Sequence, residues 1–279
     1  MQIKSGYQQI YLAAIIWGTL GVFARFSGMP PVELSFYRLL IASVILSLLL
    51  PREQRLAIGS LREYAIIFFA GFLFAVDCLF YFHALNITTF SNTVFPYNLQ
   101  PVFMALIAPF FSEKREQGTA WHTLWALAGL VLIMLPSLYN LSWSDLMGIS
   151  FAVAGTFCLS IIAFLAKMVT VSAVTFVYYE VVIATLCLVP FVSLSTSFGV
   201  QSYMWVAIIG LLHTAFAYML YYDALKVVKI QHAIAIVYLS PVVAALLGRL
   251  FFGEQLSLCT VLGGVLITVN GVTAVLKNN

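Results

Sequence analysis

The chain of 279 residues is 63% hydrophobic and 8% charged, with a mean hydropathy of +1.04, whereas charged side chains make up about a quarter of a soluble domain. That excludes a water-soluble globule, and because apolar runs able to cross roughly 30 Å of hydrocarbon recur along the whole length, it also excludes a soluble domain on one anchor. A net charge of +3 over so few charged residues, without a basic patch interleaved with aromatics, excludes a nucleic-acid surface.

Charges, prolines and polar clusters divide the chain into predicted spans at 10–26, 32–50, 64–84, 89–111 and 121–137, then at 146–167, 174–195, 202–224, 230–252 and 258–276. Before the first span stands Lys4, and no A-x-A-like cleavage signal follows the apolar run 10–23, so it reads as an uncleaved span. The second span carries Arg38 and the third carries Asp77. The fourth holds Pro101 near its middle. Glu180 falls in the seventh span, His213 in the eighth and Pro241 in the ninth.

Residues 81–102, YFHALNITTFSNTVFPYNLQPV, return in degraded form from Tyr221 as YYDALKVVKIQHAIAIVYLSPV. Tyr81, Ala84, Leu85, Leu99, Pro101 and Val102 recur as Tyr221, Ala224, Leu225, Leu239, Pro241 and Val242, each displaced by 140 positions. An internal repeat half the length of the chain governs how everything else is read. The segment Glu33 to Arg38 aligns likewise with Thr175 to Glu180, and Phe110 to Glu113 with Phe251 to Glu254.

Five helices are therefore repeated once, with domains at 1–140 and 141–279. Because five is odd, the second copy enters the membrane from the opposite side. The predicted fold class is an all-α integral membrane protein of ten transmembrane helices in two inverted-topology five-helix repeats. The positive charges test the count: with a cytoplasmic N-terminus, ten Lys and Arg residues fall inside, Lys4, Arg62, Lys167, Lys226 and Lys277 among them, and only Arg25 and Arg249 fall outside. The expected location is the plasma membrane, the inner membrane of a bacterium, with both termini cytoplasmic.

On these residues the chain resembles the drug/metabolite transporter superfamily, in its ten-helix branch built from two EamA repeats. The resemblance rests on Trp17-Gly18, Phe36-Tyr37-Arg38, the Tyr-x-x-Ala-Leu ends of the third and eighth spans, the paired prolines, and Glu113 and Glu254 closing the fourth and ninth. It implies a central cavity lined by helices 1, 3, 4, 6, 8 and 9, with helices 5 and 10 peripheral, and an exporter of small metabolites, amino acids among them. One departure is that Glu180 stands where the first repeat has Arg38.

The chain has no GxSxG, HExxH, Walker A or dinucleotide fingerprint, so neither an enzyme nor nucleotide-driven transport is expected. Its four histidines lack metal-site spacing, and neither a metal nor any other cofactor is implied. The four cysteines, Cys78, Cys158, Cys187 and Cys259, stand singly in apolar runs and read as packing residues.

Ionisable groups within a span are costly against lipid, so Arg38, Asp77, Glu180 and His213 should face the bundle interior or a wet cavity. Asp77, with His213, is expected to take up a proton or contact a substrate amine. The competing structural reading has Asp77 capping a helix or bonding Tyr81 one turn away. Arg38 and Glu180 lie at different depths, which argues for separate structural or gating roles, with Arg38 on helix-end carbonyls or a gate outside.

Pro101 and Pro241 are expected to kink their helices as hinges. Around them Tyr97, Asn98 and Gln100, with Tyr238 and Ser240, supply polar groups for binding, and Asn92 and His232 lie close by in sequence. Tyr81 and Tyr221 should mark opposite mouths. Trp17 adds an aromatic surface, and Gly263-Gly264 suits helix contact or homodimerisation. The expected function is secondary transport, by alternating access, of a small organic metabolite such as an amino acid, with the lipid bilayer and protons as further partners. The alternative is a non-transporting receptor or scaffold, or a channel-like protein, on the same fold.

Overall fold

The computed structural model describes residues 2–50, 58–97, 99–107, 110, 119–138, 142–193, 196–237, 239–253 and 257–276. The elements are α1 (Gln2–Ser27), α2 (Pro31–Leu49), α3 (Leu61–Ile87), α4 (Phe90–Tyr97), α5 (Gln100–Ile107), α6 (Thr119–Leu138), α7 (Trp143–Lys167) and α8 (Ala173–Leu188). Then follow α9 (Val200–Leu225), α10 (Ile230–Val237), α11 (Leu239–Phe252) and α12 (Leu258–Leu276).

Local chemistry sets several of the helix starts. Ser60 accepts the Glu63 N–H at 3.2 Å at the head of α3, and Ser142 and Asp145 form a reciprocal capping box on α7. Ser172 accepts the Thr175 N–H at 3.1 Å to start α8. Six stretches are long and apolar enough to cross a membrane: Ser5–Ser27, Pro31–Leu49, Leu61–Ile87, Trp143–Lys167, Ala173–Phe191 and Val200–Leu225. The protein is an all-helical, multi-pass membrane protein among its described residues.

In the predicted fourth span, α4 and α5 are separated by a turn at Leu99, ahead of Pro101, instead of forming one kinked rod, while Pro241 of the ninth lies within α11 (Leu239–Phe252) and residue 238 lies outside the described residues. Pro101 thereby stands in the first turn of α5, where its missing N–H removes no helical bond. The chain turns through Leu99, whose N–H reaches the Pro96 carbonyl at 3.0 Å. The hinge is an interruption, and the bend falls before the proline that was expected to make it.

Packing repeats between the halves. Helix α3 lies along α7 and α8, as α9 lies along α1 and α2; α1 runs beside α10 and α11, as α7 runs beside α4 and α5; α2 meets α8 and α6 meets α12. Exchanging the halves leaves this pattern unchanged. The closest approaches obey it too. A methyl group added to Gly71 would meet the Ile183 Cβ at 2.6 Å and the Glu180 carbonyl at 3.0 Å, and one added to Gly210 would meet the Arg38 carbonyl at 2.7 Å and the Ile41 side chain at 3.0 Å. Arg38 and Ile41 are the repeat partners of Glu180 and Ile183. At both crossings a missing Cβ lets the backbones touch.

One residue breaks the register. Gly71 and Gly210 are 139 positions apart, whereas Tyr81 and Tyr221 are 140 apart. The extra residue is absorbed by a wide, π-type turn over Ile209–Phe216, where the Ala217 N–H reaches back five residues to the Leu212 carbonyl. The Thr214 hydroxyl donates to the Ile209 carbonyl at 3.3 Å across the same turn.

Each end of the bundle is tied by polar bonds. At the end holding the N-terminus, Tyr7 bonds His232, Gln9 donates to Asp223 at 3.1 Å, and Glu63 accepts from Thr170. At the opposite end the Asp145 carboxylate accepts from the Thr88 hydroxyl and, at 3.2 Å, from the Asn92 amide. Asn92 and His232 thus serve the two ends and do not line the centre.

Candidate functional site

Where α1–α5, α7 and α9–α11 converge lies a cavity of about 60 Å³. That volume holds a few waters. Trp17, Asp77, Tyr81, Tyr97, Gln100, His213 and Ser240 all line it, so the elements bring seven of the predicted binding residues to one place. The remaining two, Asn98 and Tyr238, lie outside the described residues, as do Glu113 and Glu254.

Asp77 projects from the middle of α3 with 1% of its surface exposed. The Tyr97 hydroxyl, carried at the end of broken α4, donates to its carboxylate from 2.8 and 3.0 Å to the two oxygens. Tyr97, not Tyr81, is therefore its partner. Tyr81 packs against Tyr97 at a tilt of 55°, with ring centroids 4.4 Å apart. Neither duplicated tyrosine marks a mouth: Tyr81 faces the cavity, and Tyr221 is buried against Trp17 at 5.1 Å, its hydroxyl directed at the Met104 sulfur. Both sit one to two turns further inside than the repeat ends suggested.

Arg38 also lines the cavity, and its guanidinium is not at helix-end carbonyls. One terminal nitrogen donates to the Cys78 sulfur at 2.8 Å, the group lies 4.9 Å from the Phe82 ring centroid, and the buried Nε has no hydrogen-bond partner among the described residues. Cys78, read from sequence as packing, is thus the acceptor that orients the arginine. A guanidinium held by a weak sulfur acceptor and aromatic faces keeps donor capacity in reserve.

His213 sits within the wide turn of α9 and is 1% exposed. Its Nε2 lies 2.7 Å from the Thr19 hydroxyl, and its backbone carbonyl accepts from the Trp17 indole at 3.2 Å. The α1–α9 contact therefore positions histidine and tryptophan together. Glu180 stands apart from the cavity: its side chain is fully buried, one oxygen accepts from the Tyr222 hydroxyl at 3.1 Å, and the other has no hydrogen-bond partner among the described residues.

Tyr218, which sequence reasoning missed, fills the cavity wall between Trp17 and Phe74, with ring centroids 5.1 Å from each. The available signal was positional, because Tyr218 is 140 residues beyond Cys78 and so faces the same centre from the other half. Altogether the cavity presents one carboxylate and one guanidinium among aromatic walls, with an imidazole to the side.

Comparison with known proteins matches the description "EamA-like transporter family" twice, over residues 4–135 and 146–275. An uncharacterised transporter of Bacillus subtilis (strain 168) is 26% identical over 269 residues, spanning 93% of this chain and 86% of its own length. An uncharacterised transporter of Archaeoglobus fulgidus is 25% identical over 269 residues, spanning 95% and 94%. A solved crystal structure superposes with a TM-score of 0.78 at 19% identity, covering 98% of this chain and 96% of that one, which shows a shared fold.

Proposed function

Because the chain belongs to the EamA-like transporter family, we propose that it is a secondary transporter that exports a small organic metabolite such as an amino acid, by alternating access, through ten helices in two inverted repeats covering 1–140 and 141–279. It sits in the plasma membrane with both termini cytoplasmic. The observation that carries this reading is the cavity itself, which holds Asp77 and Arg38 in one small space at the crossing of the two halves.

A substrate ammonium finds acceptors on Asp77 and aromatic faces on Trp17, Tyr81 and Tyr218. A substrate carboxylate finds the guanidinium of Arg38, whose geometry suits that group. A zwitterion satisfies both. The cavity is smaller than a metabolite, so loading and release require the halves to rock apart, and the turn ahead of Pro101 supplies a joint. Asp77 takes up a proton when no ammonium is bound, which couples efflux to the proton gradient.

The test is counterflow in reconstituted vesicles with a panel of labelled amino acids and metabolites, with and without a pH gradient. A carrier shows saturable exchange stimulated from the far side, whereas a channel or scaffold does not. Asp77→Asn is expected to cut exchange by about tenfold or more, as removal of a charged hydrogen-bonding partner does, and to flatten its pH dependence. Unchanged rate and pH profile in that variant would remove the proton role.

A further inference from the structure

The two ends of the bundle are built from equivalent parts but closed differently. At the end opposite the N-terminus, an open cleft of about 210 Å³ lies between the α1–α2 connection and α3, lined by Arg25, Met29, Pro31, Leu34, Phe82 and Asn86. The repeat partners of these residues are Lys167, Val171, Ala173, Phe176, Tyr222 and Lys226. There the Phe176 and Tyr222 rings pack edge to face with centroids 5.0 Å apart.

Two charged side chains from different helices also grip the α7–α8 connection at that end. Glu63, at the head of α3, accepts the Thr170 N–H at 2.7 Å and its hydroxyl at 2.8 Å, and its other oxygen accepts the Gly59 N–H at 3.3 Å. Lys226, just past α9, donates to the Val171 carbonyl at 2.7 Å. Their repeat partners are Ser202 and Asn86, short and uncharged. The duplication thus supplied one scaffold, and the charged pair Glu63 and Lys226 has no charged counterpart at the equivalent positions of the other half. Burial pulls the Lys226 ammonium below the ordinary lysine range, with Asp223 pushing it back, so this clasp pays desolvation for its hold.

We propose that Glu63 and Lys226 are gate residues of the transport cycle, clasping the connection 168–172 across α3 and α9 so that the protein rests sealed at this end and accessible through the cleft at the other. Resting on the exporter reading and its orientation, the sealed end is the cytoplasmic, loading side. Loading substrate requires both side chains to release the connection. A charged hydrogen bond is individually strong yet exchangeable for water once the cleft wets, which suits a clasp that must open in every cycle.

The experiment compares two equivalent positions, Met29→Cys and Val171→Cys, for reaction with a membrane-impermeant maleimide, read above the labelling of the native cysteines. Right-side-out and inside-out vesicles present each face. Met29→Cys is expected to label from outside, and Val171→Cys to label from inside at least about tenfold more slowly. Adding Glu63→Gln and Lys226→Met to Val171→Cys should raise its rate about tenfold, the effect of losing hydrogen bonds to charged groups. Lys226→Arg, which keeps the donor, should preserve protection.

Equal labelling of the two cysteines without the gate substitutions, or persistent protection with them, overturns the gate. If the gate substitutions unmask Val171→Cys but only to reagent at the extracellular face, the orientation assigned to the transporter and the cytoplasmic assignment of the gate are overturned, while the clasp itself stands. None of these readings needs a known substrate.

Discussion

Helices α3 and α9 occupy equivalent places in the two halves, each crossing a partner helix at a glycine and each ending in Tyr-x-x-Ala-Leu. They reach the central cavity by different means. Helix α3 is regular and delivers Asp77 to Tyr97, whereas α9 contains one extra residue and delivers His213 from a wide turn, along with Tyr218. The scaffold is duplicated and the chemistry is not. A symmetric frame provides two interchangeable ends, and a single inserted residue on one side gives the site its polarity.

The strongest test removes that residue. Leu212 is a lipid-facing member of the wide turn, 38% exposed, so its deletion sacrifices little packing of its own. Restoring the α-helical repeat gives Gly210 and Tyr221 the ten-residue spacing of Gly71 and Tyr81, so Tyr218, Tyr221 and Tyr222 keep their face, while the wide turn that holds His213 beside Thr19 is lost. The expected outcome is near-complete loss of exchange with little change in melting temperature in detergent. If melting and exchange were both untouched, the turn would be a passive insertion.

A smaller effect tests the symmetry itself. Gly71→Ala and Gly210→Ala each press a methyl group into a helix crossing at under 3 Å, and each should cost about 1–3 kcal/mol. Near-equal losses by thermal melting are expected. A loss confined to one variant would mean the two crossings do not bear load alike. The smallest effect probes the two polar supports: Tyr97→Phe should slow exchange about tenfold and Thr19→Val only severalfold, since a hydrogen bond to a charged acceptor outweighs a neutral one. The reverse order would make the His213 side the dominant contact.

Much of this was legible in the residues. The 140-residue repeat, the paired prolines and the isolated intramembrane charges pointed to the centre, because ionisable groups cannot face lipid without cost. The paired prolines were expected to kink their helices, and Pro101 instead stands in the first turn of α5, behind the turn at Leu99. A proline tolerates the first helical turn better than the interior, so the chain breaks ahead of it. The role of Cys78 was invisible because it depends on which side chain arrives from another helix, and Tyr218 was marked only by its repeat position. Glu63 and Lys226 read as ordinary boundary charges until the α7–α8 connection appeared between them.

Composition and periodicity by themselves determined that the chain lives in a membrane, that it is helical and that its second half repeats its first, since hydropathy and repetition are local or additive properties. The tertiary structure alone decided which side chains meet. Asp77 with Tyr97, Arg38 with Cys78, His213 with Thr19 and Glu180 with Tyr222 are separated by anything from 20 to 194 positions or lie on crossing helices. Such pairings follow from the crossing angle and the rotation of each helix about its axis. A single residue of register changes that rotation by about 100°, and a sequence pattern records the residue without recording where the turn absorbs it.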